Sequence, residues 1–506
     1  MPILKPPQAA VTVSEKSVSR LQEGLGVVWC DAFGMGGDRA LGRRNAPLNT
    51  TCIPPLDDER AWAILLEELT FLKVGCLRFL LPPDGFITKR GTMDFDSVHF
   101  ERLERLCEWA GANGASIILD TVYVPRHLQV KDEEAPHPTL SPGGRGKGEG
   151  AWAEANRAPA NPRMFAEHFA GPLLDYCISE RGWTQIRYYS PVNEPLYGGV
   201  LEHPKTDPFH AYAALLTALR KELVDRNLVP QRLSLLGPST PSVQDWPLEG
   251  FYLRHLDLDP LLDAYDQHEY FARFDDAPPN ANATSVPMTE LINRHLAPHV
   301  AYAQAAGKPF LISELGHVYY GARRGDPNGP ASHAAFILDA EFAVRAIPLG
   351  VQGLLRWSFL NPGDINGRWQ LLETRDAPYA RSPNTYYGYA TLIRYARPHS
   401  DVLAAQVESS LHPWPHVYAC ALRKMPQGDF TLLVVNDHES EQVELAVKLP
   451  PPFVSSELHI IRTDRFAKHA LAGAVKCDSK SRQFSDKLPP RSLTAYTSLA
   501  YDPLLR

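Results

Sequence analysis

Two glutamates of this chain stand at the ends of short apolar runs, where a strand would pass into a loop. Glu194 ends the stretch Tyr-Tyr-Ser-Pro-Val-Asn-Glu, and Glu314 ends the stretch Pro-Phe-Leu-Ile-Ser-Glu. Two carboxyl groups held roughly 5 to 5.5 Å apart can cleave a glycosidic bond with retention, because one protonates the leaving oxygen while the other attacks the anomeric carbon. The pattern therefore predicts Glu194 as the acid and then the base, and Glu314 as the nucleophile.

A nucleophilic carboxylate has to be ionised, and Arg78 is well placed to favour that state. It lies at the end of the run Cys-Leu-Arg-Phe-Leu, and a guanidinium stabilises the ionised form of a neighbouring carboxyl group. The alternative is that Glu194 and Glu314 are ordinary surface glutamates. Their joint occurrence at two strand ends, with Asn193 beside one of them, favours a site.

These side chains need a scaffold that brings the ends of different strands together. Between residues 24 and 398, eight apolar strands alternate with segments whose apolar residues follow helical spacing. This order predicts the α/β class and a (β/α)8 TIM barrel, in which functional side chains lie at the carboxyl ends of the strands. A doubly wound open sheet is less consistent with candidate chemistry at the ends of so many strands.

Two parts of the chain break the alternation. Residues 131–162 are charged and rich in proline and glycine, so we expect a flexible insertion, either a lid over the site or a tolerated surface segment. Residues 399–506 contain short alternating runs between turn residues, which predicts a C-terminal antiparallel β-sandwich domain. In the N-terminal segment 1–23, the run Val-Thr-Val at residues 11–13 offers this domain a further strand.

The Asn-Glu-Pro element at Asn193, Glu194 and Pro195, followed by a strand ending Ile-Ser-Glu at Glu314, resembles the retaining glycoside hydrolases of clan A. The flanking positions are most similar to the family 5 pattern, and the predicted side domain is similar to those of families 30 and 39. The resemblance implies that Asn193 hydrogen-bonds the sugar 2-hydroxyl, a contact that strengthens as charge develops in the transition state.

Further site residues follow from the same resemblance. The family's His-x-Tyr matches His268-Glu269-Tyr270, which implies that Tyr270 contacts the nucleophile and His268 the acid/base. The family's tryptophan at the end of strand eight matches Trp357, which would form the apolar floor under the sugar. Trp29, at the end of strand one, is the other tryptophan that we expect at the site, stacked on a sugar ring.

The third strand departs from the family 5 pattern. Where that family has Asp-x-His, this chain has Asp120-Thr121-Val122. The corresponding sugar contact is therefore either lost or supplied by Tyr123 or His127. The departure speaks against family 5 itself and leaves the clan resemblance in place.

The composition excludes several classes of partner. The 506-residue chain has a net charge of −7, so neither a nucleic acid nor an anionic membrane is an expected partner. Its seven cysteines form no C-x-x-C pair, which favours reduced core thiols over disulfides or a zinc site. We expect no metal or organic cofactor. Because the first residues contain no signal-like apolar run, we expect a cytoplasmic protein, or a secreted one if a signal peptide has been removed.

The function predicted from these residues is that of a retaining β-glycosidase, which hydrolyses β-linked oligosaccharides or glycosides through a glycosyl-enzyme intermediate. Transglycosylation at the same site and a catalytically inactive carbohydrate-binding barrel are the alternatives. A metal-dependent barrel hydrolase using His127, His268 and Asp120 is a third, although His268-Glu269 lacks the second histidine of H-E-x-x-H. The sequence leaves open the sugar, the linkage, exo or endo action and the oligomeric state.

Overall fold

A computed structural model describes most of the chain. The described residues are 6–30, 57–88, 90–130, 158–195, 206–240, 258–271, 274–276, 286–317, 329–360, 369–372, 379–453 and 457–503. Most of the predicted insertion, residues 131–157, lies outside them, as does most of the helix expected over residues 251–262.

After a long N-terminal strand, β1 (Gln8–Leu21), eight parallel strands close into a barrel in chain order. They are β2 (Gly24–Cys30), β3 (Cys76–Leu81), β4 (Ser116–Thr121), β5 (Ile186–Ser190), β6 (Ser234–Thr240), β7 (Ala264–Phe271), β8 (Phe310–His317) and β9 (Gly353–Leu360). The strands are buried almost throughout, since one face points into the barrel and the other towards the helices. The predicted (β/α)8 barrel is thus confirmed.

Helices follow most of the barrel strands and cover the outside of the barrel. In chain order they are α1 (Glu59–Leu72), α2 (Val98–Asn113), α3 (162–180), α4 (Pro208–Asp225), α5 (288–305), α6 (His333–Leu349) and α7 (Thr385–Ile393). Helix α1 begins after Asp58, whose side chain accepts a hydrogen bond from the Ala61 amide. Aspartate is a preferred residue at this capping position. Both α3 and α5 contain π-helical turns, which apolar spacing did not predict.

The second domain is a β-sandwich built from one continuous sheet of nine strands. Eight of them follow the barrel: β10 (Ser400–Ser409), β11 (Val417–Lys424), β12 (Asp429–Asn436), β13 (Val443–Lys448), β14 (Glu457–Thr463), β15 (Ala470–Lys476), β16 (Gln483–Leu488) and β17 (Ser492–Thr497). The order across the sheet is β15-β14-β17-β12-β11-β10-β1-β13-β16. All pairs are antiparallel except β1 with β13, which is parallel.

The sheet curls around its own apolar core, to which Val11, Leu403, Val434 and Phe484 contribute. The end strand β16 approaches the other half of the sheet, where its Asp486 accepts a hydrogen bond from the Tyr496 hydroxyl on β17 at 2.7 Å. The outer face of the sheet packs against α6 and α7 of the barrel, and its apolar residues there join the core that surrounds the barrel. The two domains therefore share one hydrophobic interface.

Two expectations from composition concern the whole chain. The six cysteines in the described residues form no disulfide, and five of them are buried. Among the described helices, none is long and apolar enough to cross a membrane.

Candidate active site

The two predicted carboxylates lie on the same face of the barrel, at the carboxyl ends of β5 and β8. Glu194 follows β5 in a short turn and has a left-handed backbone conformation, with φ of +46°. Glu314 lies within β8, where the pairing with β9 shifts register between Ile312 and Leu315. Such a bulge re-aims side chains, so that Ser313 and Glu314 both make contacts inside the barrel.

The separation of the two carboxyl groups is short. One carboxylate oxygen of each glutamate and one ring nitrogen of His268 all lie within 4.8 Å of one another. Retaining glycosidases hold the two groups about 5 to 5.5 Å apart, whereas inverting enzymes need about 6.5 to 9.5 Å to admit a water molecule. The geometry therefore fits direct attack by a carboxylate.

Arg78 is the centre of the hydrogen-bond network under the site. Its guanidinium is fully buried and donates through one terminal nitrogen to Glu314 Oε1 at 2.6 Å and to His268 Nε2 at 3.1 Å. The other terminal nitrogen donates to Asp120 Oδ2 and to Asn193 Oδ1, both at 2.7 Å. One cation thus connects the ends of four strands.

Glu314 is buried but well supported. Its second oxygen, Oε2, accepts a hydrogen bond from the Tyr270 hydroxyl at 2.6 Å. Burial raises the pKa of Glu314 above its ordinary value and the charge of Glu194 adds to that effect, while His268, the charge of Arg78 and the Tyr270 hydrogen bond oppose it. The carboxyl group is therefore a stronger base than an exposed glutamate.

His268 connects the two glutamates. Arg78 can only donate, so Nε2 of His268 accepts and Nδ1 carries the ring proton. Nδ1 lies 2.7 Å from Glu194 Oε1 and 3.4 Å from Glu314 Oε2, which makes it a donor to the acid/base glutamate. A metal bound by Glu194, His268 and Glu314 would need the lone pair on Nδ1, which this arrangement does not offer.

The residues of the metal-dependent alternative are not brought together. His127 is exposed and its ring lies near Gly91. Asp120 is instead paired with Arg78 inside the barrel. Among the described residues, the geometry gives no support to a metal centre made of His127, His268 and Asp120.

Asn193 has its amide oxygen engaged by Arg78, so its NH2 group is the part that can donate to a substrate hydroxyl. Trp357, at the end of β9, is partly exposed and packs against the apolar cluster inside the barrel. Tyr123 packs against the same cluster, with its hydroxyl 3.4 Å from Asp84 Oδ2. Of the two residues considered for the missing sugar contact, Tyr123 is the one that packs against this cluster.

Trp29 does not lie at the site, and its prediction as a sugar-stacking residue is wrong. Its side chain is fully buried and stacks on Trp62 of α1 and on Phe359, with centroid distances of 5.8 Å in both cases. Successive side chains of a strand point to opposite faces. Because Val28 and Cys30 face into the barrel, Trp29 must face the helices.

Sequence reasoning missed the part that two aspartates play beneath the site. Asp120 entered it through the family 5 motif and the metal alternative, yet it is the partner of Arg78. Asp266 accepts hydrogen bonds from the Ser239 amide at 2.8 Å and from the Ser313 hydroxyl. A signal was present for Asp266, since it stands two residues before His268 and therefore on the same face of β7.

Neither a protein-family model nor a curated protein sequence matches the chain. Solved structures, in contrast, include proteins with a similar fold. A GH30 endoxylanase from Clostridium papyrosolvens C71 superimposes with a TM-score of 0.63 at 13% identity, covering 97% of this chain and 100% of that one. A conserved exported protein from Bacteroides fragilis gives 0.65 at 11% identity, covering 96% and 100%. A GH51 arabinofuranosidase from Xanthomonas axonopodis pv. citri gives 0.59 at 14% identity, covering 97% and 99%.

These similarities extend over both domains. The chain thus has the architecture of the clan A glycoside hydrolases, a (β/α)8 barrel with a side β-domain. At this level of identity, the likeness establishes the fold, and the chemistry has to be argued from the residues.

Proposed function

We propose that this protein is a retaining glycosidase that acts by double displacement, with Glu314 as the nucleophile and Glu194 as the acid/base. The observation that carries the proposal is the pair of carboxyl groups within 4.8 Å, one held by Arg78 and Tyr270 and the other by His268. Different neighbours give the two glutamates different tasks.

In the first step, Glu314 attacks the anomeric carbon while Glu194 protonates the leaving oxygen. The Tyr270 hydroxyl and Arg78 hold the attacking carboxylate in place, and His268 orients the carboxyl group of Glu194. In the second step, the oxygen of a water molecule attacks the anomeric carbon while Glu194 takes its proton, and the bond between the sugar and Glu314 breaks. Another sugar hydroxyl in place of water would give transglycosylation.

We further propose a β-linked oligosaccharide or glycoside as the substrate. Solved structures with a similar fold include proteins described as xylanases, a glucosidase and an α-L-arabinofuranosidase. A test must therefore sample pentoses and hexoses, and furanosides as well as pyranosides. Asn193, whose amide oxygen accepts from Arg78 and whose NH2 group remains as a donor, is the residue proposed to hydrogen-bond the 2-hydroxyl.

The proposal is tested by intact-mass spectrometry after incubation with 2-deoxy-2-fluoro glycosides that carry a good leaving group, followed by peptide mapping. We expect one adduct, on Glu314, and its mass identifies the sugar accepted beside the nucleophile. Glu314→Gln keeps the shape of the side chain but should form no adduct and should lose turnover by about 1,000-fold or more.

Two outcomes would count against the proposal. An adduct on another residue would remove Glu314 from the nucleophile's role. Tight sugar binding by folded protein without adduct or turnover across the panel would support the carbohydrate-binding alternative.

A further inference from the structure

Directly beneath the site lies a buried layer with more acidic than basic groups. It contains one guanidinium and three carboxyl groups, each exposed by 4% or less. They belong to Arg78, Asp120, Glu314 and Asp266. Only Asp120 and Glu314 form ion pairs with Arg78, at 2.7 and 2.6 Å.

The two terminal nitrogens of Arg78 divide the contacts into two sets. One nitrogen serves the catalytic pair, through Glu314 and His268. The other serves Asp120 and Asn193. Asp120 therefore sits on the opposite side of the same cation from the proposed nucleophile, and it competes with that nucleophile for one positive charge.

On the basis of the proposed glycosidase function, we propose that Asp120 is a positioning residue that tunes the nucleophile through Arg78. It fixes the guanidinium and takes up part of its positive charge, so that Glu314 keeps enough basicity to attack the anomeric carbon. An undivided arginine beside a carboxylate lowers its pKa by about 1 to 3 units. A carboxylate stabilised to that extent is a weaker nucleophile.

The other groups that face Glu314 act on it directly. They come from the strands around it: Arg78 on β3, Glu194 after β5, and His268 and Tyr270 on β7. The charge of Asp266, also on β7, acts on Arg78. Asp120, on β4, reaches Glu314 through the guanidinium. Burial raises the pKa of Asp120, whereas the charge and the hydrogen bond of Arg78 lower it. The ionisation of Asp120 therefore depends on its contact with Arg78.

The test is Asp120→Asn, which keeps an oxygen acceptor for Arg78 and removes the negative charge. The pH dependence of kcat/KM for an activated aryl glycoside is measured, together with the rate of labelling by the reactive 2-fluoro glycoside. We expect the acidic limb, which reports ionisation of Glu314 in the free enzyme, to move to lower pH by about one unit. The labelling rate at the optimum should fall by about two- to threefold, because the reactivity of a nucleophile falls with only part of its loss of basicity.

Asp266→Asn is the matched control, because it removes the same charge from the same layer. The Asp266 side chain accepts hydrogen bonds from Ser239 and Ser313, and it acts on Arg78 through its charge rather than as an ion-pair partner in contact. This variant should displace the acidic limb by less than half as much. A purely structural role for Asp120 predicts a lower melting temperature with an unmoved acidic limb. If Asp120→Asn fails to fold, Asp120→Ser removes the same charge with a smaller side chain, and the limb is measured on that variant.

The inference is overturned if the acidic limb of the Asp120 variant stays where it is in the parent, or if Asp266→Asn moves it equally. The first result would mean that Asp120 carries no charge in the free enzyme. The second would mean that any negative charge in the layer has the same effect, so that the ion pair of Asp120 with Arg78 is not what tunes Glu314. Failure of the proposed function looks different, because the parent protein itself would then give neither labelling nor turnover.

Discussion

At the scale of single residues, the nucleophile depends on donors that stabilise its charge. Glu314 is 4% exposed, and without its partners it would be neutral at the pH where it has to attack. Arg78 approaches one oxygen and the Tyr270 hydroxyl the other. Each donor therefore shifts the pH range in which the proposed reaction runs.

Tyr270→Phe removes one of these donors and leaves the ring. The hydroxyl donates to Glu314 Oε2 at 2.6 Å, and this hydrogen bond lowers the pKa of Glu314. A hydrogen bond to a charged group contributes about 1.5 kcal/mol or more, or about one pKa unit. We expect the acidic limb of kcat/KM to move to higher pH by that amount, opposite in sign to Asp120→Asn. A limb that moves down or stays in place would contradict this.

The residue scale also shows where sequence reasoning succeeds. Strand ends indicate Glu194, Glu314 and Arg78, and the family resemblance adds Asn193, His268 and Tyr270. The structure brings all six into one network. Trp29 was misplaced because a strand end alone does not tell which face a side chain takes. Alternation from Val28 would have shown it. The bulge that turns Glu314 inward has no signature in the sequence, since it depends on pairing with neighbouring strands.

At the scale of elements, a buried histidine joins α7 to β14 and β15. His469 lies just before β15, and its ring is 1% exposed and packs against Phe71, Tyr395 and Tyr501. Its Nδ1 lies 3.0 Å from the hydroxyl of Thr391 on α7. Burial, with a smaller effect of the nearby Arg394 charge, lowers the pKa of His469 to about 4.

This lowered pKa predicts how stability depends on acid. An unfolded histidine has a pKa near 6.5, so the unfolded chain binds this proton more readily than the folded protein does. The contribution of the neutral His469 to the free energy of unfolding is present above pH 6.5. It is lost as the pH falls towards 4, by about 3 kcal/mol in total. His469→Asn, which suits the left-handed backbone at this position (φ +50°), should flatten the decline. Urea unfolding between pH 7.5 and 4.5 measures it, and equal slopes for parent and variant would contradict it.

The elements themselves could be predicted largely from local pattern. A parallel strand buried on both faces is a short apolar run, and β3, β4 and β8 stand out in the sequence for that reason. The π-helical turns of α3 and α5 could not be predicted, because no residue type marks the place where the hydrogen-bond pattern of a helix widens. Such turns are set by packing rather than by propensity.

At the scale of the whole molecule, the sandwich is built from both ends of the chain. Strand β1 lies inside the sheet, between β10 and β13, and its residues Ala9, Val11 and Val13 are buried in the sandwich core. The sequence predicts that this segment offers the C-terminal domain a further strand. It could not identify the partners, because pairing across some 400 residues leaves no local trace.

Removing residues 1–21 should therefore damage the sandwich rather than trim an end. The deletion exposes the edges of β10 and β13 and removes buried side chains that contribute about 5 kcal/mol in all. We expect a lower melting temperature and a tendency to aggregate through the exposed edges. A synthetic peptide covering Gln8–Leu21, added during refolding, should restore part of the loss. A deletion variant that melts like the parent would show that the sheet is stable without β1.

The position of β1 also determines how long this strand remains without its pairing partner during biosynthesis. Gln8 donates its backbone N–H to the hydroxyl of Ser410, which lies 402 residues further along. At about 5 to 20 residues per second, the ribosome needs roughly 20 to 80 s to deliver that partner. Throughout this interval the nascent chain carries a strand with alternating apolar side chains and no neighbour. We therefore expect this segment to need shielding until β10 has been made, so that the demand for chaperones falls on the strand that precedes the barrel rather than on the strands that follow it.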